Sequence, residues 1–137
     1  EIAEDFPENR RLTQKILQDE SKLEEIVRLV GMDALSPKEQ LTMETARMIR
    51  EDFLFQNGFD PVDAYSSLNK QYRLLKSILT FMDVAESKVV EEDFDFKKLQ
   101  SLPVKEDIAQ SSFCAEEDVD ATFDKIDEAI RSQISAL

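Results

Sequence analysis

The 137-residue chain has no histidine, no tryptophan, a single cysteine and only two glycines. Without histidine it lacks the usual general base and the commonest metal ligand. The lone Cys114 excludes an internal disulfide and suits a reducing compartment, and no histidine is present to activate it as a nucleophile. Neither phosphate-binding glycine motif, G-x-x-x-x-G-K-[ST] or G-x-G-x-x-G, occurs. By itself the chain is a poor candidate for an enzyme.

Long apolar segments are also missing. No run approaches the roughly 18 residues that a membrane span needs, and no signal peptide opens the chain. Thirty acidic residues against 17 basic ones give a net charge of −13, which argues against nucleic acid and anionic membranes as partners. The apolar content of 42% nevertheless predicts a packed core.

The scarcity of glycine and proline argues against a turn-rich β architecture, and the apolar periodicity is helical. We predict a first helix that begins at Asp5 or Phe6, before Pro7, and ends at Gly31 in the C′ position. Its apolar stripe consists of Leu12, Ile16, Leu23, Val27 and Val30.

The second predicted helix has the clearest start signal. Ser36-Pro37-Lys38-Glu39 has the pattern of a capping box with proline at the first helical position. We expect this helix to run to about Asn57, where Gly58 stops it, with Ala46, Ile49 and Phe53 on one face. A similar signal at 60–63, Asp-Pro-Val-Asp, predicts a short helical turn.

A third long helix is predicted from about Ser67, and its two stripes suggest that it lies between other helices. The stripes are Leu68, Tyr72, Leu75, Leu79 and Met82, and Leu74, Ile78, Phe81 and Ala85. A connector over 90–104 is expected to hold a short helix near 96–102. The last helix spans about 115–135, with Val119, Phe123, Ile126, Ile130 and Ile134 inward. Residues 1–137 are thus predicted to form one all-α helical bundle domain.

Two features leave a functional and a structural interpretation open. Phe53, Phe55 and Phe59 surround Gln56, Asn57 and Gly58, and aromatic rings can stack on a nucleobase or pack into a core. Spacing favours the core for the cluster and for Phe53, whereas Phe59 lies beyond the Gly58 stop.

The loop 31–38 contains Met32, Ala34 and Leu35. It suits either a contact with another protein or a hydrophobic staple by Leu35. The local chemistry does not separate the two.

Residues 24–65, EEIVRLVGMDALSPKEQLTMETARMIREDFLFQNGFDPVDAY, resemble the C-terminal helical domain of the catalytic A subunit of V-type and A-type rotary ATPases. The similarity continues through SLNKQYRLLKSIL at 67–79 and SLPVKEDIA at 101–109. VGMDALS followed by ARMIREDFL, and then QNGFDPVD, are its most specific parts. The noncatalytic B subunit lacks the QNGFDPVD run. A more distant similarity links the G-M-D turn to the beta subunit of F-type ATP synthases.

The resemblance implies a helical bundle that follows a nucleotide-binding domain, so we expect the chain, which begins at Glu1, to be a piece of a longer subunit. It implies a rotor-facing loop formed by Met32, Asp33, Ala34, Leu35, Ser36, Pro37 and Lys38. It also implies that Phe59 lines the adenine pocket, flanked by Gln56 and Asn57. The acidic F-type turn is replaced here by D-A-L-S-P-K-E, which argues against a mainly electrostatic rotor contact.

For the parent enzyme, the resemblance implies ATP hydrolysis or synthesis coupled to proton or sodium transport. ATP or ADP with Mg²⁺ would be bound by the parent subunit, and the catalytic groups would lie in the missing domain and a neighbour. We therefore expect no catalytic residue and no metal ligand in this chain. The implied partners are the noncatalytic B subunits and the central rotor shaft, in the cytoplasmic, peripheral sector of a membrane-bound complex.

A rival hypothesis is an acidic helical interaction module without a nucleotide role. It would gain support if one stripe of the third helix remained uncovered.

Overall fold

The computed structural model describes residues 5–54, 68–91 and 94–137, and every regular element within these ranges is helical. The all-α prediction is therefore confirmed for the described residues. The elements are α1 (Phe6–Val30), a 3₁₀ turn (Met32–Ala34), α2 (Pro37–Met48), a π-helical turn (Ile49–Leu54), α3 (Leu68–Val89), α4 (Phe96–Gln100), α5 (Pro103–Gln110), 3₁₀ turns at Ser111–Phe113 and Glu116–Asp118, and α6 (Val119–Ser135).

Helix α3 forms the centre of the bundle, as its two apolar stripes predict. It packs most extensively against α6 and next against α2. Its buried apolar residues are Tyr72, Leu74, Leu75, Ile78, Leu79, Phe81, Ala85 and Val89. Neither stripe is left uncovered among these residues, so the rival hypothesis gains no support from α3.

Helix α6 closes the bundle with the predicted face inward. All five of its predicted core residues are buried: Val119, Phe123, Ile126, Ile130 and Ile134. The helix begins at Val119 instead of near Ala115, because a 3₁₀ turn occupies Glu116–Asp118.

The stripe predicted for α1 does not form a continuous core face. Within it only Ile16 is buried, whereas Leu12 and Val30 are exposed. The helix packs mainly against α2 and touches α3 much less, and its buried residues all lie between Thr13 and Glu20. The second half of α1 therefore extends beyond the core.

Two further boundaries differ from the prediction. The short helix near 96–102 ends at Gln100, and α5 occupies Pro103–Gln110, where we predicted the end of a connector. Pro103 starts this helix at its first position, where a missing N–H costs no hydrogen bond. Val104 and Ile108 then bury one face of α5.

The second predicted helix is capped as expected, but its α-helical part ends at Met48 and a π-helical turn follows to Leu54. Ala46 and Ile49 are fully buried, and Phe53 packs half-buried against the core. The predicted extension to Asn57, the stop at Gly58 and the turn at 60–63 lie outside the described residues.

Candidate functional site

The turn between α1 and α2 is built around Gly31. Its φ of +94° is unfavourable for residues with a side chain, and its N–H donates to the carbonyl of Val27 at 2.9 Å, which ends α1. One 3₁₀ turn follows, closed by the N–H of Leu35 on the carbonyl of Met32 at 3.0 Å. The chain thus reverses direction in a short, hydrogen-bonded loop.

The start of α2 is held by the predicted capping box. The N–H of Glu39 donates to Ser36 Oγ at 3.2 Å, and the N–H of Ser36 donates to Glu39 Oε1 at 2.9 Å. Gln40 Nε2 adds a bond to the carbonyl of Leu35 at 3.1 Å. These polar groups are engaged within the protein, so they stabilise the loop and leave little capacity for a partner.

The seven residues predicted to face a rotor are not equivalent. Leu35 is buried, with 4% of its surface exposed, which fits the staple interpretation. Five of the others are exposed: Met32, Asp33, Ala34, Pro37 and Lys38. Ser36 is also exposed, but its hydroxyl already accepts the capping hydrogen bond from the N–H of Glu39. A partner that touches this loop therefore meets mainly the 3₁₀ turn and the first residues of α2.

An apolar surface adjoins this loop on the last two turns of α1. Ile26, Leu29 and Val30 follow the i, i+3, i+4 spacing of one helix face, and Leu29 and Val30 are 80% and 67% exposed. With Met32 they form what we call the apolar tip. Residues 22–40 carry three basic and four acidic side chains, so the tip is nearly neutral in a protein of net charge −13.

Sequence reasoning missed Ile26 and Leu29 as surface residues. The signal that would have found them is a second apolar row on α1, next to the row that contains Val27 and Val30. When a helix with two apolar rows packs mainly against one neighbour, one of the rows is left uncovered.

A buried carboxylate anchors α1 before it leaves the core. Glu20 is 6% exposed and accepts hydrogen bonds from Arg50 Nε and Nη2 at 3.1 and 2.5 Å. Because Arg50 lies in the π-helical turn, this ion pair joins the middle of α1 to the end of the second helical segment. The apolar tip therefore projects from a fixed base.

A second charged cluster lies beside the π-helical turn. Glu44, which is buried, receives hydrogen bonds from Arg47 at 2.6 Å and from Lys105 of α5. Burial alone would raise the pKa of Glu44, but the bonds from Arg47 and Lys105 outweigh it and lower the pKa. The cluster links α2 to α5 with Glu44 ionised.

Asp52, in the π-helical turn, has the opposite shift. Burial raises the pKa of Asp52 to about 6, against a smaller opposing attraction from Arg47. This carboxyl group is therefore partly protonated in mildly acidic solution, unlike an ordinary aspartate.

The other sequence candidates contribute no further site in the part of the chain that the structure describes. Phe59, Gln56 and Asn57 lie outside it, so their nucleotide role stays a prediction. Cys114 is a free, half-buried thiol. Over residues 5–54, 68–91 and 94–137, no group of His, Cys, Asp or Glu is placed to hold a metal ion, and none of the helices is both long and apolar enough to cross a membrane.

An all-helical bundle with a capped loop and a projecting apolar tip is what these residues define. Comparison with known families identifies it further: the model described as the C-terminal domain of V and A type ATP synthase matches residues 1–99. The chain belongs to this family.

Three relatives show the same relationship. The V-type ATP synthase alpha chain of Acetivibrio thermocellus is 48% identical over 136 residues, and that of Thermoanaerobacter pseudethanolicus is 44% identical. The V-type ATP synthase alpha chain 1 of Clostridium tetani is 43% identical. Each alignment covers 99% of this chain but 23% of the relative, so the chain spans about a quarter of the length of these proteins.

Proposed function

We propose that this chain couples the nucleotide site of a V/A-type ATPase to its rotor, as the C-terminal domain of the catalytic alpha (A) subunit. The parent complex would link ATP hydrolysis or synthesis to the transport of protons or sodium ions. Membership of the family and 48% identity to a V-type ATP synthase alpha chain support this assignment. The domain would lie in the cytoplasmic, peripheral sector of this membrane-bound complex.

The observation that carries the proposal is the apolar tip. Four large apolar side chains are exposed in a short stretch: three are on the last two turns of α1, and Met32 is in the loop at 32–38, which is braced by its own capping box. Such a surface is costly in water unless a partner covers it. We propose that the central rotor shaft is this partner, and that noncatalytic B subunits flank the domain.

The mechanical connection between the nucleotide site and the rotor-facing loop would consist of α2 and the π-helical turn. These elements are consecutive from Pro37 to Leu54: the 12 residues of α2 span roughly 18 Å at about 1.5 Å per residue, and the π-helical turn extends the segment further. One end is the loop, and the other end precedes Phe59 by five residues. A change at the nucleotide site could therefore move the loop by a rigid displacement of this helical segment.

The nucleotide role proposed for Phe59, with Gln56 and Asn57 beside it, rests on the family resemblance. Phe59 would stack on the adenine of ATP or ADP, whose phosphates and Mg²⁺ would be held by the preceding domain of the parent subunit. In the assembled complex, Phe59→Ala should weaken nucleotide binding by about 1–3 kcal/mol if the stacking resembles that of other aromatic contacts to bases. Val90→Ala, which truncates a 72% exposed apolar side chain just after α3, is the control. Unchanged affinity in Phe59→Ala would remove Phe59 from the site.

The test of the coupling role is a comparison of two activities in the assembled complex. Leu29→Ser with Val30→Ser should lower ATP-driven ion transport more than ATP hydrolysis, because the nucleotide site stays intact while the proposed rotor contact is lost. Val90→Ser, at a 72% exposed site after α3, provides the control. An unchanged ratio of transport to hydrolysis in the double variant would contradict the proposed contact.

The purified chain itself should hydrolyse no ATP, since the catalytic groups would be on the preceding domain. Robust Mg-dependent hydrolysis by the chain alone would contradict this part of the proposal. The alternative, an interaction module without a nucleotide role, would be excluded by a G-x-x-x-x-G-K-[ST] motif in a longer reading frame upstream of Glu1.

A further inference from the structure

A groove of about 750 Å³ lies between the 3₁₀ turn Ser111–Phe113 and the first turns of α6. Its apolar lining includes Ile126, which is 5% exposed, and Phe113, which is 52% exposed. Asp107, Asp118 and Lys125 supply its charged lining. We call this surface the α6 groove. It lies beyond residues 1–99, which the family model matches, and shares no residue with the apolar tip.

The turn beside the α6 groove is held in place from the core. Lys70, which is 3% exposed, donates a hydrogen bond from Nζ to the carbonyl of Cys114 at 2.8 Å. Ser111 Oγ donates to the carbonyl of Ile108 at 2.7 Å, and the N–H of Cys114 closes the turn on the carbonyl of Ser111 at 3.2 Å. A groove with a fixed wall binds at a lower entropic cost than one that must first become ordered.

The charge around the α6 groove is strongly negative. Residues 103–137 contain nine acidic and three basic side chains. Along the border of α6 with α3, Arg73 pairs with Asp120, Asp124 and Asp127 at 3.0, 2.7 and 3.5 Å.

The two carboxylates that line the groove are not neutralised in this way. Within the described part of the chain, neither Asp107 nor Asp118 has a side-chain hydrogen bond or an ion pair. A partner that brings positive charge would therefore meet two available acceptors in the same groove as the apolar side chains of Phe113 and Ile126.

We propose that the α6 groove binds a basic peptide segment of another polypeptide. One large apolar side chain of this segment would contact Phe113 and Ile126, while flanking lysines or arginines would pair with Asp107 and Asp118. A second copy of this chain is disfavoured because each copy carries a net charge of −13. Phosphate groups and anionic membranes are disfavoured as ligands because the same negative charge repels them.

Photo-crosslinking in the full-length subunit, within its native assembly, tests this proposal. p-Benzoylphenylalanine is introduced in place of Phe113 and, as a control, in place of the 72% exposed Val90. Peptide sequencing by mass spectrometry then identifies the crosslinked segment. We expect one segment with a net positive charge and a large apolar residue near the crosslink. No product above the Val90 control, an acidic or neutral segment, or a segment of this same chain would overturn the proposal.

Charge reversal distinguishes binding from chance proximity. Asp107→Lys with Asp118→Lys should reduce the crosslink by about ten-fold, since like charges would then face the basic segment. Glu24→Lys with Glu25→Lys, two exposed residues of α1, is the matched control. In the protein without these changes, about 0.5 M NaCl should also weaken the crosslink, because salt screens exposed charges. A crosslink that survives both charge reversal and salt would overturn the proposal, and circular dichroism of each variant verifies the fold.

Discussion

The guanidinium of Arg50 donates two hydrogen bonds to the carboxylate of Glu20, which lies 30 positions earlier in the chain. The pair compensates for the weak apolar contact of α1, which buries little beyond Thr13 and Ile16. Since Glu20 is only 6% exposed, keeping its carboxylate charged at this position without a partner would cost much free energy of folding. This ion pair therefore determines where α1 leaves the core.

We expect Arg50→Met to lower the free energy of unfolding by about 1–3 kcal/mol, because it leaves the Glu20 carboxylate buried and unpaired. The double variant with Glu20→Met should recover part of the loss, since both polar groups are then removed. Urea unfolding of the purified chain measures both effects. Lys15→Met, which breaks an exposed pair with Asp19, should cost at most about 0.5 kcal/mol. A loss in Arg50→Met no greater than this control would show that the pair does not anchor α1.

The capping box at Ser36 gives a second stability prediction. Ser36→Ala removes the acceptor for the N–H of Glu39 and should destabilise the chain by about 1 kcal/mol. Ser21→Ala, on the exposed side of α1, should leave stability unchanged or raise it slightly, because alanine favours a helix. Thermal unfolding compares the two. Equal midpoints would mean that the loop is held by Leu35 and its packing alone.

The parts of the fold that follow from local pattern were predictable. In α6 the spacing of Phe123, Ile126 and Ile130 identifies the buried face, because a helix with neighbours on one side must turn its apolar residues to them. Between Tyr72 and Leu79 the described residues of both α3 stripes are buried for a related reason, since α2 and α6 cover the helix. The capping box and the helix end at Gly31 are also local, and both are confirmed.

The parts that depend on tertiary coverage were not predictable. Nothing in the spacing of Leu12 or Val30 shows that α1 extends beyond the helices that pack against it. These residues were therefore wrongly placed in a single core stripe with the buried Ile16. The π-helical turn at Ile49–Leu54 has no glycine or proline to mark it. Of the proposed site, the loop was located by the family resemblance. The apolar tip could be recognised only from the structure, which shows that no neighbouring element covers Leu29 in the described part of the chain.

The exposure of the apolar tip predicts that the isolated chain tolerates polar substitutions there without losing stability. Leu29→Ser with Val30→Ser should change the free energy of unfolding by less than about 1 kcal/mol, since neither side chain loses buried contacts. Leu75→Ala, in the centre of α3, should cost about 2–5 kcal/mol because that leucine is fully buried. Urea unfolding again supplies the comparison. A large loss in the double serine variant would show that the tip is covered by the chain itself and is not free for a partner.

Asp52 predicts a pH dependence opposite in sign to that of Glu44. The pKa of Asp52 rises from 3.8 to about 6 on folding, mainly through burial, so the folded state binds this proton more tightly than the unfolded state. Stability from this group is present below about pH 4 and is lost as the pH rises through about 6. Glu44 has a lowered pKa, so its contribution is instead lost as the pH falls.

Asp52→Asn should therefore raise the midpoint of thermal unfolding above pH 7, where it removes a carboxylate that is ionised and partly buried. The gain should shrink as the pH falls from about 6 to about 4, because the wild-type group is then protonated as well. Asp83→Asn, at an exposed position of α3, is the matched control and should give no such pH-dependent difference. Unfolding curves of the three proteins, measured in steps across this range, provide the comparison. A gain in Asp52→Asn that stays constant with pH would mean that the amide acts through packing, and that Asp52 does not titrate as its burial implies.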